Sequence, residues 1–166
     1  ANTIAGVATV KQQEHIYVTG TIGTAGNAAV VVTAEGLANS PITLSVPVAS
    51  GDSSTTVAAK VNAALEENAD ITDFFTISSA NGRYVRLTAK TAADNDTTRN
   101  ISIANDTCTG LTAIPTSTVD YVGNPGTKQV ETLTVAGRVS YNWSYSLYYQ
   151  SLPTRDGQSF GTRRCR

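Results

Sequence analysis

The sequence predicts an α+β domain: a mostly antiparallel sheet or sandwich of short strands, one covering helix over about residues 53–67, and extended N- and C-terminal arms. Three observations carry this. Thr, Val, Ala and Ser dominate residues 14–110, with Gly, Asn and Asp between the apolar runs, which is the composition of short strands joined by tight turns. Val57, Val61, Ala64 and Leu65 then switch from a period of two to helical spacing. Finally, Asn81-Gly82 sits between two alternating runs and is a pair that readily takes the positive φ angles of a type I′ hairpin turn. A length of 166 residues and a mass of 17.3 kDa suffice for one domain with a core and a short extension.

The first expected strand is 14–21, with Ile16 and Val18 on one face and His15 and Tyr17 on the other. Residues 28–33 and 42–48 follow, with turns at Gly26-Asn27 and Ala38-Asn39-Ser40-Pro41. Asp52, Ser53 or Ser54 can cap the helix by accepting a bond from a free first-turn N–H. Ala58, Ala59 and Ala63 are good helix formers that allow close approach to a sheet. The helix should end by Asn68, with Ile71, Phe74 and Phe75 leading the chain back into the core. Residues 75–79 and 83–90 form the hairpin, and 100–104 one more strand. A run of strands, a helix and more strands places the helix across one face of the sheet.

Residues 113–127, with Pro115, Gly123, Pro125 and Gly126, read as a linker. The expected organisation is an arm at 1–11, the domain at 12–112, the linker, and a second segment at 128–166. Charge marks a boundary near Gly137. Residues 1–137 carry seven Lys/Arg against twelve Asp/Glu, a net of −5, whereas 138–166 carry five arginines and only Asp156, a net of +4. The same tail holds Trp143 and four of the seven tyrosines.

Lys128-Gln129-Val130-Glu131-Thr132-Leu133-Thr134-Val135-Ala136-Gly137 matches Lys11-Gln12-Gln13-Glu14-His15-Ile16-Tyr17-Val18-Thr19-Gly20 at five of ten positions, at an offset of 117 residues. This reads as the opening of a tandem copy, and the match ends at Gly137. A change of reading frame is one account, since shifted codons over 151–165 permit a Val/Ser/Thr-rich run parallel to 40–52. An evolved arm whose aromatics pack on a neighbour is the other.

Gly20-Thr21-Ile22-Gly23-Thr24, Ile42-Thr43-Leu44-Ser45-Val46-Pro47-Val48-Ala49-Ser50-Gly51-Asp52, Val57-Ala58-Ala59-Lys60-Val61-Asn62-Ala63-Ala64-Leu65 and Val85-Arg86-Leu87-Thr88-Ala89-Lys90 together resemble domains in structural proteins of tailed bacteriophages and prophages. The strand–Gly-Asp–helix–strand order is similar to a domain of contractile-tail sheath proteins. The resemblance spans about residues 12–115. It implies a building block of the tail tube, neck or head decoration, located in the virion and made in the host cytoplasm.

Composition leaves little room for chemistry. The net charge of −1 excludes nucleic-acid binding by bulk charge. No apolar run reaches the roughly 20 residues of a membrane span, and no signal segment leads the chain. Ala1 is compatible with loss of an initiator methionine or with cleavage of a longer precursor. A single histidine and two cysteines exclude closed zinc sites, and no cofactor, metal or catalytic constellation is expected. His15 beside Glu14 is read as a strand-surface residue rather than an acid–base pair, and Asp94-Asn95-Asp96 as a polar turn rather than a calcium loop. The expected contacts lie in the tail: Trp143, Tyr145, Tyr148 and Tyr149, with Arg155, Arg163 and Arg164 adding charge complementary to an acidic neighbour. Cys108 and Cys165 form a candidate disulfide, within one subunit or between neighbours. The expectation is a non-enzymatic, homo-oligomeric virion subunit that assembles through its arms with copies of itself and other virion proteins. The alternative is an extracellular adhesin module that binds a carbohydrate or cell surface.

Overall fold

The computed structural model describes residues 2–79 and 82–132. Contacts group residues 3–130 into one unit, and Asn2, Glu131 and Thr132 are the described part of a second. The strands are β1 (Asn2–Ile4), β2 (Gln13–Tyr17), β3 (Gly20–Thr24), β4 (Gly26–Thr33), β5 (Ile42–Val48), β6 (Phe75–Ser78), β7 (Tyr84–Ala89), β8 (Asn100–Asn105), β9 (Thr109–Leu111), β10 (Thr118–Tyr121) and β11 (Val130–Thr132). Two helices, α1 (Ser54–Glu66) and α2 (Ala69–Phe74), lie between β5 and β6. Antiparallel sheets in the orders β10-β2-β7-β6 and β5-β4-β8, with the pair β3-β9, make a sandwich-like α+β fold.

The core forms where period-two strands turn their apolar side chains inward. Ile16 and Val18, Val85 and Leu87, Val30 and Val32, and Ile101 and Ile103 are all buried. Helix α1 adds Val57, Val61 and Leu65, one turn apart on a single face. Its first free N–H groups are met by Ser53, whose Oγ accepts from Thr56 N at 3.3 Å. Asn68 ends the helix and starts another, because its Oδ1 accepts from Ile71 N at 3.1 Å and so caps α2. The expected single helix is therefore followed by a second short one, which delivers buried Ile71 and Phe75 to the core.

Other boundaries shift for local reasons. The expected strand at 14–21 is split, with β3 starting at Gly20, whose φ is +103°. Gly26-Asn27 belong to β4 rather than to a turn, and Asn27 O accepts from the N–H groups of Asp106, Thr107 and Cys108. The β6–β7 hairpin pairs Phe75 with Ala89 and Ser78 with Arg86, a register centred on Gly82. A two-residue turn at Asn81-Gly82 would instead place Ala80 opposite Arg83, so the hairpin is present with a longer connection; Ala80 and Asn81 lie outside the described residues.

The segment expected as a linker, 113–127, contains β10, which pairs with β2 as an edge strand. Beyond it the chain runs back along the N-terminal arm. Val7 and Thr127 exchange two backbone bonds at 3.0 Å each, and Val10 and Asn124 exchange two at 2.8 and 2.9 Å. Residues 4–10 and 124–130 thus form a ribbon that continues the β2–β10 edge.

Strands β3 and β9 approach so closely that a Cβ at Gly110 would overlap Thr21 O, and Gly110 has φ +105°. Gly110→Ala is expected to cost about 1–3 kcal/mol or more from backbone strain and overlap. Leu65→Ala should cost about 2–5 kcal/mol from the cavity it leaves. Urea unfolding followed by circular dichroism measures both; midpoints equal to wild type would contradict this packing.

Candidate functional site

Every residue expected to carry the tail contacts, Trp143, Tyr145, Tyr148, Tyr149, Arg155, Arg163 and Arg164, lies outside the described residues, as does Cys165. Cys108 is a free thiol, 3% exposed, whose Sγ donates to Asn105 Oδ1 at 3.4 Å. The described residues present four other features.

The first is an exposed apolar strip. Ile4 and Val7 on the N-terminal side, and Val119, Tyr121, Val122 and Val130 on the returning side, are each at least half exposed. Of the seven large exposed hydrophobic residues among those described, five sit on β10 and the ribbon, Val122 lies in the link between them, and the seventh is Tyr17. The strip was readable as the alternation Val119, Tyr121 around Asp120, but the density of Pro and Gly nearby favoured a linker. A two-stranded ribbon with little apolar cover is marginally stable in water, so this strip has surface available for association.

The second is a polar group on the sandwich's outer face. The β10–β2 register shifts between Val119 and Tyr121, leaving Asp120 as the extra residue of a bulge. A bulge re-aims its side chain, and Asp120 meets two partners: Oδ1 is 2.9 Å from His15 Nδ1, and Oδ2 accepts from Arg86 Nε at 3.1 Å. The Tyr84 ring lies 4.9 Å from the His15 ring and 4.8 Å from that of Tyr17. His15 and Glu14 point to opposite faces of β2, so they do not act as a pair. The group ties β10 to β2 and β7.

The third is a buried polar cluster that sequence reasoning missed. Glu14 follows the inward face of Ile16 and is 1% exposed. Ser117 Oγ donates to its Oε2 at 2.5 Å and Gln12 Nε2 to its Oε1 at 2.9 Å. Gln12 also clamps Asp96, donating to Asp96 O and accepting from Asp96 N, both at 2.8 Å. The Asp96 carboxylate accepts from Glu35 N at 2.7 Å and from Thr98 N and Oγ1 at 2.8 and 2.6 Å. Burial pushes the Asp96 carboxyl up, but these bonds outweigh it and hold it below the usual carboxylate range. The expected polar turn at 94–96 is thus a tether whose carboxylate oxygens are already occupied. Burial also raises the Glu14 carboxyl, against the opposing bonds from Ser117 and Gln12.

Arg99 completes this cluster. Its side chain is 5% exposed, and Nε lies 3.7 Å from Asp96 Oδ2. It spans the Phe74 and Phe75 rings at 5.7 and 5.4 Å, a favourable cation–π placement. Yet Nε and Nη1 are buried with no hydrogen bond, an arrangement that costs about 1–3 kcal/mol for each unmet donor. Burial lowers the Arg99 pKa, against the pull of Asp96 and Glu14.

The fourth feature is a pair of surface cavities. One of about 480 Å³ lies between β5 and α1, walled by Val46, Val48, Ala63 and Ala64. The other, of about 470 Å³, has Arg99, Phe74 and Lys90 in its wall with Glu35, Asp73 and Asp94. No cluster of three or more His, Cys, Asp or Glu suited to a metal occurs among the described residues, and no described helix is long and apolar enough to cross a membrane.

Two predictions follow from this chemistry. Because its folded pKa is raised, protonated Glu14 contributes stability that is fully present below the unfolded value of 4.5 and lost as pH rises through the folded value. Glu14→Gln, which keeps the shape and cannot ionise, should therefore gain on wild type as pH rises from about 4 to 7. Urea unfolding across that range tests it, and a pH-independent difference would count against the burial of Glu14. In a Cys165→Ser chain, Cys108 should react with a maleimide about a hundredfold or more slowly than in urea, since reaction needs local opening. Equal rates would show an exposed thiol.

Set against known proteins, the chain matches no family model and no curated protein.

Proposed function

We propose that this chain is a non-enzymatic structural subunit of a tailed-phage particle, assembling with copies of itself and other virion proteins through its terminal segments. One observation carries the assembly part: most of the exposed large apolar side chains gather on the ribbon of 4–10 and 124–130, on adjoining β10 and on Val122 between them. Burial of such a strip against a neighbour removes apolar surface from water, at roughly 25 cal/mol per Å². It also completes an edge that a lone sheet leaves unpaired. The virion part is supported by the resemblance of residues 12–115 to phage structural domains.

The rival reading, a carbohydrate- or surface-binding adhesin module, needs an aromatic platform on the domain. Tyr17 and Tyr84 are its candidates. Their rings are tilted by 60° rather than coplanar, which favours the structural reading.

The test is light scattering and negative-stain microscopy of the full chain beside the double variant Val119→Lys, Val122→Lys. Wild type should form rings, tubes or larger species. The variant should associate more weakly by about 2 kcal/mol or more if the strip is a hot spot. Wild-type monomers over the whole concentration range would overturn the assembly reading.

A further inference from the structure

The cavity of about 470 Å³ beside β7 joins two unmet requirements. In its wall, the Arg99 side chain is nearly enclosed, and its Nε and Nη1 make no hydrogen bond, Asp96 Oδ2 standing 3.7 Å from Nε. Around it stand three exposed carboxylates, Glu35, Asp73 and Asp94, and none forms an ion pair or side-chain hydrogen bond among the described residues. Lys90 is the only other cation of the wall. A simple anion would suit Arg99 and be repelled by the carboxylates. A simple polycation would suit the carboxylates and leave Arg99 as it is. A peptide bearing arginines answers both, since its main-chain carbonyls accept and its guanidiniums donate to carboxylates in a planar fork.

The chain itself carries such a peptide. Residues 155–166 hold Arg155, Arg163, Arg164 and Arg166 against one acid, Asp156, while residues 1–137 carry a net charge of −5. We propose that this cavity receives the arginine-bearing segment around Arg163 and Arg164 from a second copy of the chain, with a main-chain carbonyl directed to Arg99 and the guanidiniums to Glu35, Asp73 and Asp94. This rests on the assembly reading above and names an acceptor site for one of its arms. The exposed carboxylates lie within reach of salt, so they supply orientation and partner choice, and the contact weakens as ionic strength rises.

Charge exchange in the full chain tests it, with oligomer mass read by light scattering and folding checked by circular dichroism. Asp73→Lys/Asp94→Lys alone and Arg163→Glu/Arg164→Glu alone should each associate about tenfold more weakly than wild type, or worse. An equimolar mixture of the two should regain the wild-type size, because each tail then meets a cavity of opposite charge on the other chain. If the lysine pair disturbs folding, Glu35→Gln/Asp73→Asn/Asp94→Asn replaces it and should show the weakening alone. Assembly of Arg163→Glu/Arg164→Glu indistinguishable from wild type would overturn the docking and leave the assembly reading standing. A mixture that does not recover would overturn docking between copies. Wild-type chains that stay monomeric would overturn both readings together.

Discussion

The clamp between Gln12 and Asp96 is the contact on which the arrangement of this domain depends. Residues 91–99 have no regular secondary structure, so their backbone groups find no partners in a ladder. The Gln12 amide replaces that ladder by bonding both the N–H and the C=O of Asp96, and the Asp96 carboxylate in turn fixes Glu35 and Thr98. Through Glu14 and Ser117 the same network reaches the segment just before β10. One buried group of polar side chains thereby holds the start of β2, the 91–99 loop and the approach to the edge strand. The exposed strip and the Arg99 cavity both lie on segments it positions.

Such a cluster is a constraint rather than a source of large stability. Buried polar groups repay their desolvation only when every partner is in place. Asp96 is fully served and Glu14 nearly so, whereas Arg99 relies on aromatic faces and a distant carboxylate. The domain therefore leaves an unmet charged group, Arg99, at a surface cavity, while the apolar core around Val57, Val61, Leu65 and Phe75 is closed.

The parts of the fold legible in the sequence were those ruled by local periodicity. β5 was readable at its full extent from Ile42, Leu44, Val46 and Val48, and α1 from the spacing of Val57, Val61 and Leu65 after three candidate caps, Asp52, Ser53 and Ser54, of which Ser53 serves. α2 was hidden because Asn68 serves at once as a stop and as a new cap. β10 was hidden because its pairing with β2 bridges some hundred residues, and no local signal reports a distant partner. Burial of Glu14 was missed although it shares the parity of Ile16 and Val18, because a carboxylate goes inside only with partners, and Ser117 and Gln12 meet it only in three dimensions. The Arg99 cavity left no trace in the sequence, being assembled from α2, the turn after β4 and the loop after β7.

The ribbon makes the N-terminal arm depend on the far end of the described chain. Val7 bonds Thr127 and Val10 bonds Asn124, so the two segments joined are separated by nearly the whole domain. Contacts so distant in sequence return nothing until the chain between them has been gathered, because the entropy of closing that loop must be met first. The arm therefore finds its partner strand only once the intervening sheets are in place, and a change that loosens their core also unties the first segment of the chain.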